Sequence, residues 1–403
     1  VKCGLAVATE RGLSTPSARS ELIICLPRFA GARLIFSLLR PPRLLGVRLL
    51  SSPGRDSSAG GGEGLRRGVL AAARMIALAS TGCGLGALGL AAYIRAEPAP
   101  APADLDRAVL QTYSLLPWRA LSRSAGWMHE LKLPNWAREP VLRFYVAMLG
   151  IDMSEAWPRK LSAYETVGDL FARRLQPGVR VPEQGCSLVS PVDGIVLSAG
   201  PVGSSFLVKG IEYSLLALLG GGSAHEGRSL HQLTIYLSPG DYHGFHAPTD
   251  AVLSTSQHVA GQLLSVHPNL LARWPVLASN ERVVLSGVWD GGFLALVAIG
   301  ATGVGSIQLD RDPLVRTNAP GALPRTVSTR DLNAARVGRG ERLGGFRLGS
   351  CVVLLFEAPD DAQPIYQVQP GQRVTVGEAI VLRVGPPQLG IASEPPPRQS
   401  RSS

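Results

Sequence analysis

Apolar spacing along the chain changes character twice. From Met75 to Ile94, twenty residues run without a charge, MIALASTGCGLGALGLAAYI. A helix of that length is just enough to cross a hydrocarbon core of about 30 Å. Gly82, Gly84, Gly86 and Gly89 would weaken a helix in water but are common in membrane spans. The pattern predicts one transmembrane helix at 75–94, with Arg66, Arg67 and Arg74 before it and Arg95 and Glu97 after it. From Arg107 to Leu175 the apolar residues keep a helical period, clearest through Arg107–Leu116, Pro140–Leu149 and Tyr164–Leu175. After Pro177 that period is lost. Short β-branched runs follow between Gly and Pro: Leu233–Leu237, Arg282–Leu285, Phe293–Ile299, Cys351–Phe356 and Arg373–Val384. The expected fold is therefore α+β, with a helical entry leading into a mostly-β domain. Beyond Gly385 the chain turns Pro- and Ser-rich, the composition of a disordered tail.

Composition sharpens this division. The 403 residues are 45% hydrophobic, enough for a real core and unlike a collagen or a wholly disordered chain. Five Cys without a C-x-x-C spacing exclude a disulfide scaffold and the usual zinc ribbons. The net charge of +10 suggests nucleic acid until it is divided. Residues 1–74 hold 12 Lys and Arg against 4 Asp and Glu, so +8 of the +10 lies there. A nucleic-acid face would sit on the folded part, so none is expected. Arg-rich, Ser-containing and acid-poor, residues 1–70 read instead as an organelle transit region.

Chemistry concentrates in three segments. Ser190-Pro-Val-Asp193-Gly-Ile places a carboxylate between apolar strands, where an ordinary Asp-Gly hairpin turn is the commoner meaning. Leu237-Ser-Pro-Gly-Asp241-Tyr-His243-Gly-Phe-His246-Ala-Pro248 carries two His three apart, and no nearby Cys or carboxylate completes a convincing metal ligand set. Phe346-Arg-Leu-Gly349-Ser350-Cys351 brings a Ser to the start of a fully apolar strand, without the G-x-S-x-G of a hydrolase elbow. Asp, His and Ser in separate segments could form a triad in which an oriented imidazole deprotonates a hydroxyl.

Taken in order, these segments resemble the phosphatidylserine decarboxylases, and the mitochondrial branch in particular. The resemblance runs from Leu131-Lys-Leu-Pro-Asn-Trp136 to Gly385. It includes Phe171-Ala-Arg-Arg-Leu-Gln-Pro177, Lys209-Gly-Ile-Glu-Tyr-Ser214, Asn280-Glu-Arg-Val283 and Gly300-Ala-Thr-Gly-Val-Gly-Ser306. It implies a proenzyme that cuts itself between Gly349 and Ser350 into β and α chains. His246, oriented by Asp193, deprotonates Ser350, whose Oγ attacks the Gly349 carbonyl. Residue 350 then becomes a covalent pyruvoyl group, the cofactor that serves as electron sink, and no metal is required. His243 is implied as the acid that returns a proton to the substrate's α-carbon, an imidazole being suited to work near neutral pH. The implied partners are phosphatidylserine and the lipid bilayer, the product is phosphatidylethanolamine, and the implied location is the mitochondrial inner membrane with the catalytic domain in the intermembrane space. The expected organisation is transit region 1–70, span 75–94, helical entry 95–128, catalytic domain 129–385 with barrel-sandwich-like features, and tail 386–403.

Three positions depart from the family's pattern. Cys351 stands where Thr or Ser is usual, Gly244 where many members carry a larger residue, and Gly303 in place of a common Asn. Two rival readings are distinguishable. A carrier module related to biotinyl and lipoyl domains needs a Lys at a hairpin tip, and Lys209 is not in that setting. A membrane-anchored serine hydrolase using Asp193, His246 and Ser350 would stay intact and be labelled at Ser350.

Overall fold

Every residue from Ser350 to Ala358 is buried, which a strand achieves only when both faces of its sheet are covered. The computed structural model describes residues 110–221, 229–303, 306–347, 350–358 and 363–383. The expected transit region, the span at 75–94, the tail and Gly349 lie outside these residues. Among the described residues, no helix is long and apolar enough to cross a membrane.

The principal strands, in chain order, are β1 (Gly194–Val202), β2 (Ser229–Leu237), β3 (Gly244–His246), β4 (Ala251–Val259), β5 (Arg282–Trp289) and β6 (Gly292–Gly300). They continue as β7 (Ile307–Leu309), β8 (Val327–Val337), β9 (Arg342–Phe346), β10 (Ser350–Ala358) and β11 (Arg373–Val374). Eight of them form one antiparallel sheet in the order β8-β4-β5-β6-β10-β2-β1-β11. A second sheet, β7-β9-β3, has three strands. Side chains alternate across a strand, and β10 shows the result. Val352, Leu354 and Phe356 enter one core with Phe245, Ile307, Leu343 and Phe346, so the small sheet covers that face. Cys351, Val353 and Leu355 enter the opposite core with Val208, Tyr213, Leu218 and Leu271.

Helices form the entry. Residues 110–115 are helical, followed by α1 (Trp118–His129) and α2 (Asn135–Leu149). α2 stops at Gly150, whose φ of 67° is left-handed and favours glycine. The expected helical stretch Tyr164–Leu175 is helical only in α3 (Val167–Phe171). There Thr166 and Asp169 form a reciprocal capping box. Arg174–Leu175 instead pairs as a strand with Ala156–Trp157.

Four of the five expected β runs lie inside single strands. The fifth, Arg373–Val384, breaks into β11 and Ala379–Arg383 around a turn containing Gly377. β8 carries no apolar alternation because it is a nearly exposed edge strand, so its sequence gives no period-2 signal.

Candidate active site

Ser350 opens β10 opposite Leu237 of β2 and Gly300 of β6. By the alternation of β10, its side chain stands with Val352 and Leu354 on the face covered by β7-β9-β3. The residue is fully buried, and among the described residues its Oγ has no hydrogen-bond partner. A buried hydroxyl left unpaired costs roughly 1–3 kcal/mol, so this serine is not there for stability. Cys351 points the other way into the second core, where burial pushes its thiol far up. The departure from Thr or Ser therefore falls on the face away from the site.

The turn between β2 and β3 carries His243, and β3 itself carries His246. Asp241 closes the turn by accepting from the Ser238 N–H at 2.7 Å and pairs with Arg373. Gly240 is pressed against the end of α2, where a Cβ would strike the Leu149 carbonyl. His243 is fully buried. Its Nδ1 lies 2.8 Å from the Asp241 carbonyl; a carbonyl only accepts, so Nδ1 carries the proton and Nε2 a lone pair. That Nε2 is buried and has no partner among the described residues. The Phe171 ring meets His243 edge-on at 6.3 Å, and the His129 ring meets Phe171 at 6.1 Å.

His246 lies on β3, its N–H bonded to the Pro191 carbonyl at 2.8 Å. Its Nδ1 donates to the Gly340 carbonyl at 2.8 Å, and its Nε2 accepts from the Tyr242 hydroxyl at 3.0 Å. Gly244 makes this contact possible, since a Cβ there would run into the Tyr242 ring and hydroxyl. The departure at Gly244 is thus matched by Tyr242 folding over the strand. Gly303 has a φ of +84°, where glycine is at ease, and its N–H takes the Ser122 hydroxyl as acceptor at 3.0 Å.

Asp193 precedes β1 rather than turning a hairpin. Its Oδ1 accepts from the Val376 N–H at 2.7 Å, and its Oδ2 lies 3.4 Å from Arg180, which also pairs with Glu155. Burial raises its carboxyl pKa, against the lowering pull of Val376 and Arg180.

His243 precedes β3 and His246 ends it, Asp193 precedes β1, and Ser350 opens β10. Among the described residues, no hydrogen bond joins Asp193, His246 and Ser350 to one another. The two His also differ from an exposed imidazole. Burial holds the pKa of His246 low and pushes that of His243 down to about 4. The expectation that His243 titrates near working pH is corrected here, because desolvation disfavours the imidazolium. With a folded pKa below the ordinary 6.5, the stability owed to the neutral ring is whole above that value and is lost as the pH falls through about 4.

Beside this region a cavity of about 350 Å³ is lined by Arg123, His129, Glu130, Gly168, Gly303 and Arg347, among others. Arg347, next to the expected cleavage site, pairs with Glu130 at the end of α1. Residue-by-residue reading missed Arg173, Tyr242 and Gly340. The first two stood inside segments already singled out; Gly340 contributes only a carbonyl, which leaves no side-chain signal.

A family model described as phosphatidylserine decarboxylase matches residues 167–382. The chain is 38% identical over 300 residues to the mitochondrial phosphatidylserine decarboxylase proenzyme of Rattus norvegicus, covering 66% of this chain and 73% of that protein. It is 32% identical over 388 residues to the mitochondrial phosphatidylserine decarboxylase proenzyme 1 of Schizosaccharomyces pombe, covering 73% and 88%. A bacterial phosphatidylserine decarboxylase proenzyme, from Anaeromyxobacter, is 38% identical over 281 residues, covering 68% of this chain and 98% of its own.

Proposed function

The chain belongs to the phosphatidylserine decarboxylase family, and on that footing we infer that it converts phosphatidylserine to phosphatidylethanolamine through a pyruvoyl group formed from its own Ser350. The observation that carries the reading is the Ser350 hydroxyl, fully buried and unpartnered at the head of a strand. A side chain consumed in making the prosthetic group needs no stabilising bond of its own, so the residue present fits the group.

In maturation, His246 takes the Ser350 proton as Oγ attacks the Gly349 carbonyl, turning that amide into an ester. The same imidazole returns the proton to the departing amine of residue 350. His246 offers the right atom, since Nδ1 is tied to Gly340 and Nε2 holds the lone pair. The Tyr242 hydroxyl must turn away from Nε2 first. Asp193 supplies a carboxylate whose raised pKa reflects its burial. Elimination of the ester then releases the β chain at Gly349, and hydrolysis with loss of ammonia leaves the pyruvoyl group at residue 350. Once formed, its keto carbonyl supplies the electron sink that takes up the pair left on the substrate's α-carbon as carbon dioxide departs. His243 returns a proton to that carbon. Its Nε2 is neutral in the free protein, and an anionic headgroup beside it favours the protonated ring.

The names of the Rattus norvegicus and Schizosaccharomyces pombe relatives include mitochondrial, and this chain is assigned to mitochondria too. Its catalytic domain is assigned to the intermembrane-space face of the inner membrane, anchored by Met75–Ile94. Trp127, Trp136, Phe144 and Met148 on α1 and α2 are exposed, which suits a surface that rests on lipid. The purified protein should weigh as two chains under denaturing conditions, the smaller beginning at residue 350 with a blocked terminus. It should release carbon dioxide from phosphatidylserine vesicles; a single intact chain with no release would overturn the reading. The membrane-bound protein should also resist carbonate extraction, with everything after Arg95 freed by a protease added on the intermembrane-space side. Release by carbonate alone would exclude the anchor.

A further inference from the structure

Arg173 lies on the turn after α3, two residues beyond the Phe171 ring that contacts His243. It is 5% exposed. One guanidinium nitrogen, Nη2, donates to the Gly240 carbonyl at 3.1 Å and steadies the turn that bears His243. The other, Nη1, is buried with no acceptor among the described residues. Among the described residues, Arg173 forms an ion pair with no carboxylate, although Asp193 and Asp241 lie within electrostatic reach. Its charge is also felt at His243.

Arg282 shows what a purely structural arginine looks like in this fold. It is 3% exposed, and its nitrogens donate to the carbonyls of Ala217, Leu218, Ala278 and Asn280. A buried cation is costly unless its donors are met, and at Arg282 the backbone meets them. At Arg173 one nitrogen is left over among the described residues, and so is the Nε2 of His243, on the turn that Arg173 holds through Gly240.

We propose that Arg173 keeps Nη1 for an anionic oxygen of the substrate's headgroup, holding it beside His243. This rests on the decarboxylase reading above. A guanidinium in a water-poor site binds an oxyanion with a short, charge-assisted bond. The headgroup offers two oxyanions, the serine carboxylate and the phosphodiester. They predict different kinetics. The diester keeps its charge throughout the reaction, so losing its partner raises KM and spares kcat. The carboxylate loses its charge as carbon dioxide leaves, so a bond to it steadies the ground state, and losing it raises KM and kcat together.

The test compares Arg173→Gln and Arg173→Lys with the full-length wild-type chain on phosphatidylserine vesicles. Cleavage into two chains reports that each variant has folded and matured. Matured Arg173→Gln should show KM raised roughly ten- to hundredfold, the range for a lost hydrogen bond to a charged group. Arg173→Lys should recover part of the loss, because it keeps the charge but not the fork. Glycerophosphoethanolamine carries the diester without the carboxylate, and L-serine the carboxylate without the diester. The competitor whose inhibition is weakened at least tenfold in Arg173→Gln identifies the anion held. If KM and both inhibition constants stay within twofold of wild type, the assignment is wrong. If neither variant matures, Arg173 serves only the Gly240 turn, and the assignment is equally wrong. A wild-type chain that matures but releases no carbon dioxide sinks the decarboxylase reading itself, whatever Arg173 does.

Discussion

Ser350→Ala should leave one uncut chain and no measurable release of carbon dioxide from phosphatidylserine. The substitution removes the hydroxyl proposed to open the Gly349 carbonyl, and with it the proposed source of the keto group. It should do so without harming the fold. Among the described residues the Ser350 hydroxyl makes no hydrogen bond, and it is fully buried, so deleting it removes a desolvated polar atom and leaves no described partner stranded. Thermal denaturation of the variant should occur at or slightly above the wild-type temperature. An uncut, inactive and undiminished protein is the signature of a reactive group kept at the expense of stability. If the alanine variant is still cut at 349/350, attack by the serine hydroxyl is the wrong chemistry.

The second large effect separates the two histidines. His246→Ala and Asp193→Ala should remain uncut and therefore inactive. His243→Ala should still mature, at least in part, and trap a lipid amine on borohydride treatment, yet release carbon dioxide roughly 10²–10⁴ times more slowly, the loss expected for a positioned acid. The structure gives this division a physical edge. His246 has both nitrogens engaged, by Gly340 and Tyr242, whereas His243 has one nitrogen free and desolvated. Tyr242→Phe, which frees the His246 lone pair, should therefore mature at least as fast as wild type. A gel and a carbon-dioxide assay on these variants decide the matter. Complete failure of His243→Ala to cut, with normal maturation of His246→Ala, would reverse the roles.

Much of the fold was legible in the sequence, for a reason visible in β10. A strand buried on both faces is mostly apolar, and Cys351–Phe356 is apolar throughout. The same holds for most of β6, whereas β2 also buries His231, Gln232 and Thr234. β8 was not legible, because an exposed edge strand is free to be polar. Nor was the short extent of α3, where a capping box opens the helix and a strand pairing soon replaces it. Helical spacing alone does not show where a neighbouring strand will claim the backbone.

For the site, the sequence by itself determined which candidate groups are on offer, since a nucleophile, imidazoles and a carboxylate are identities, and the ordered motifs tie the chain to one family. It could not determine the state of those groups. That His243 is neutral follows from its complete burial, and burial is a property of everything packed around it. That His246 meets Tyr242 depends on a glycine two residues after the tyrosine and on a carbonyl 94 residues away. That Arg173 has a nitrogen to spare depends on which carbonyls the fold brings to it. Proton positions, desolvation and unmet donors arise between segments distant in sequence, so only the tertiary structure could decide them.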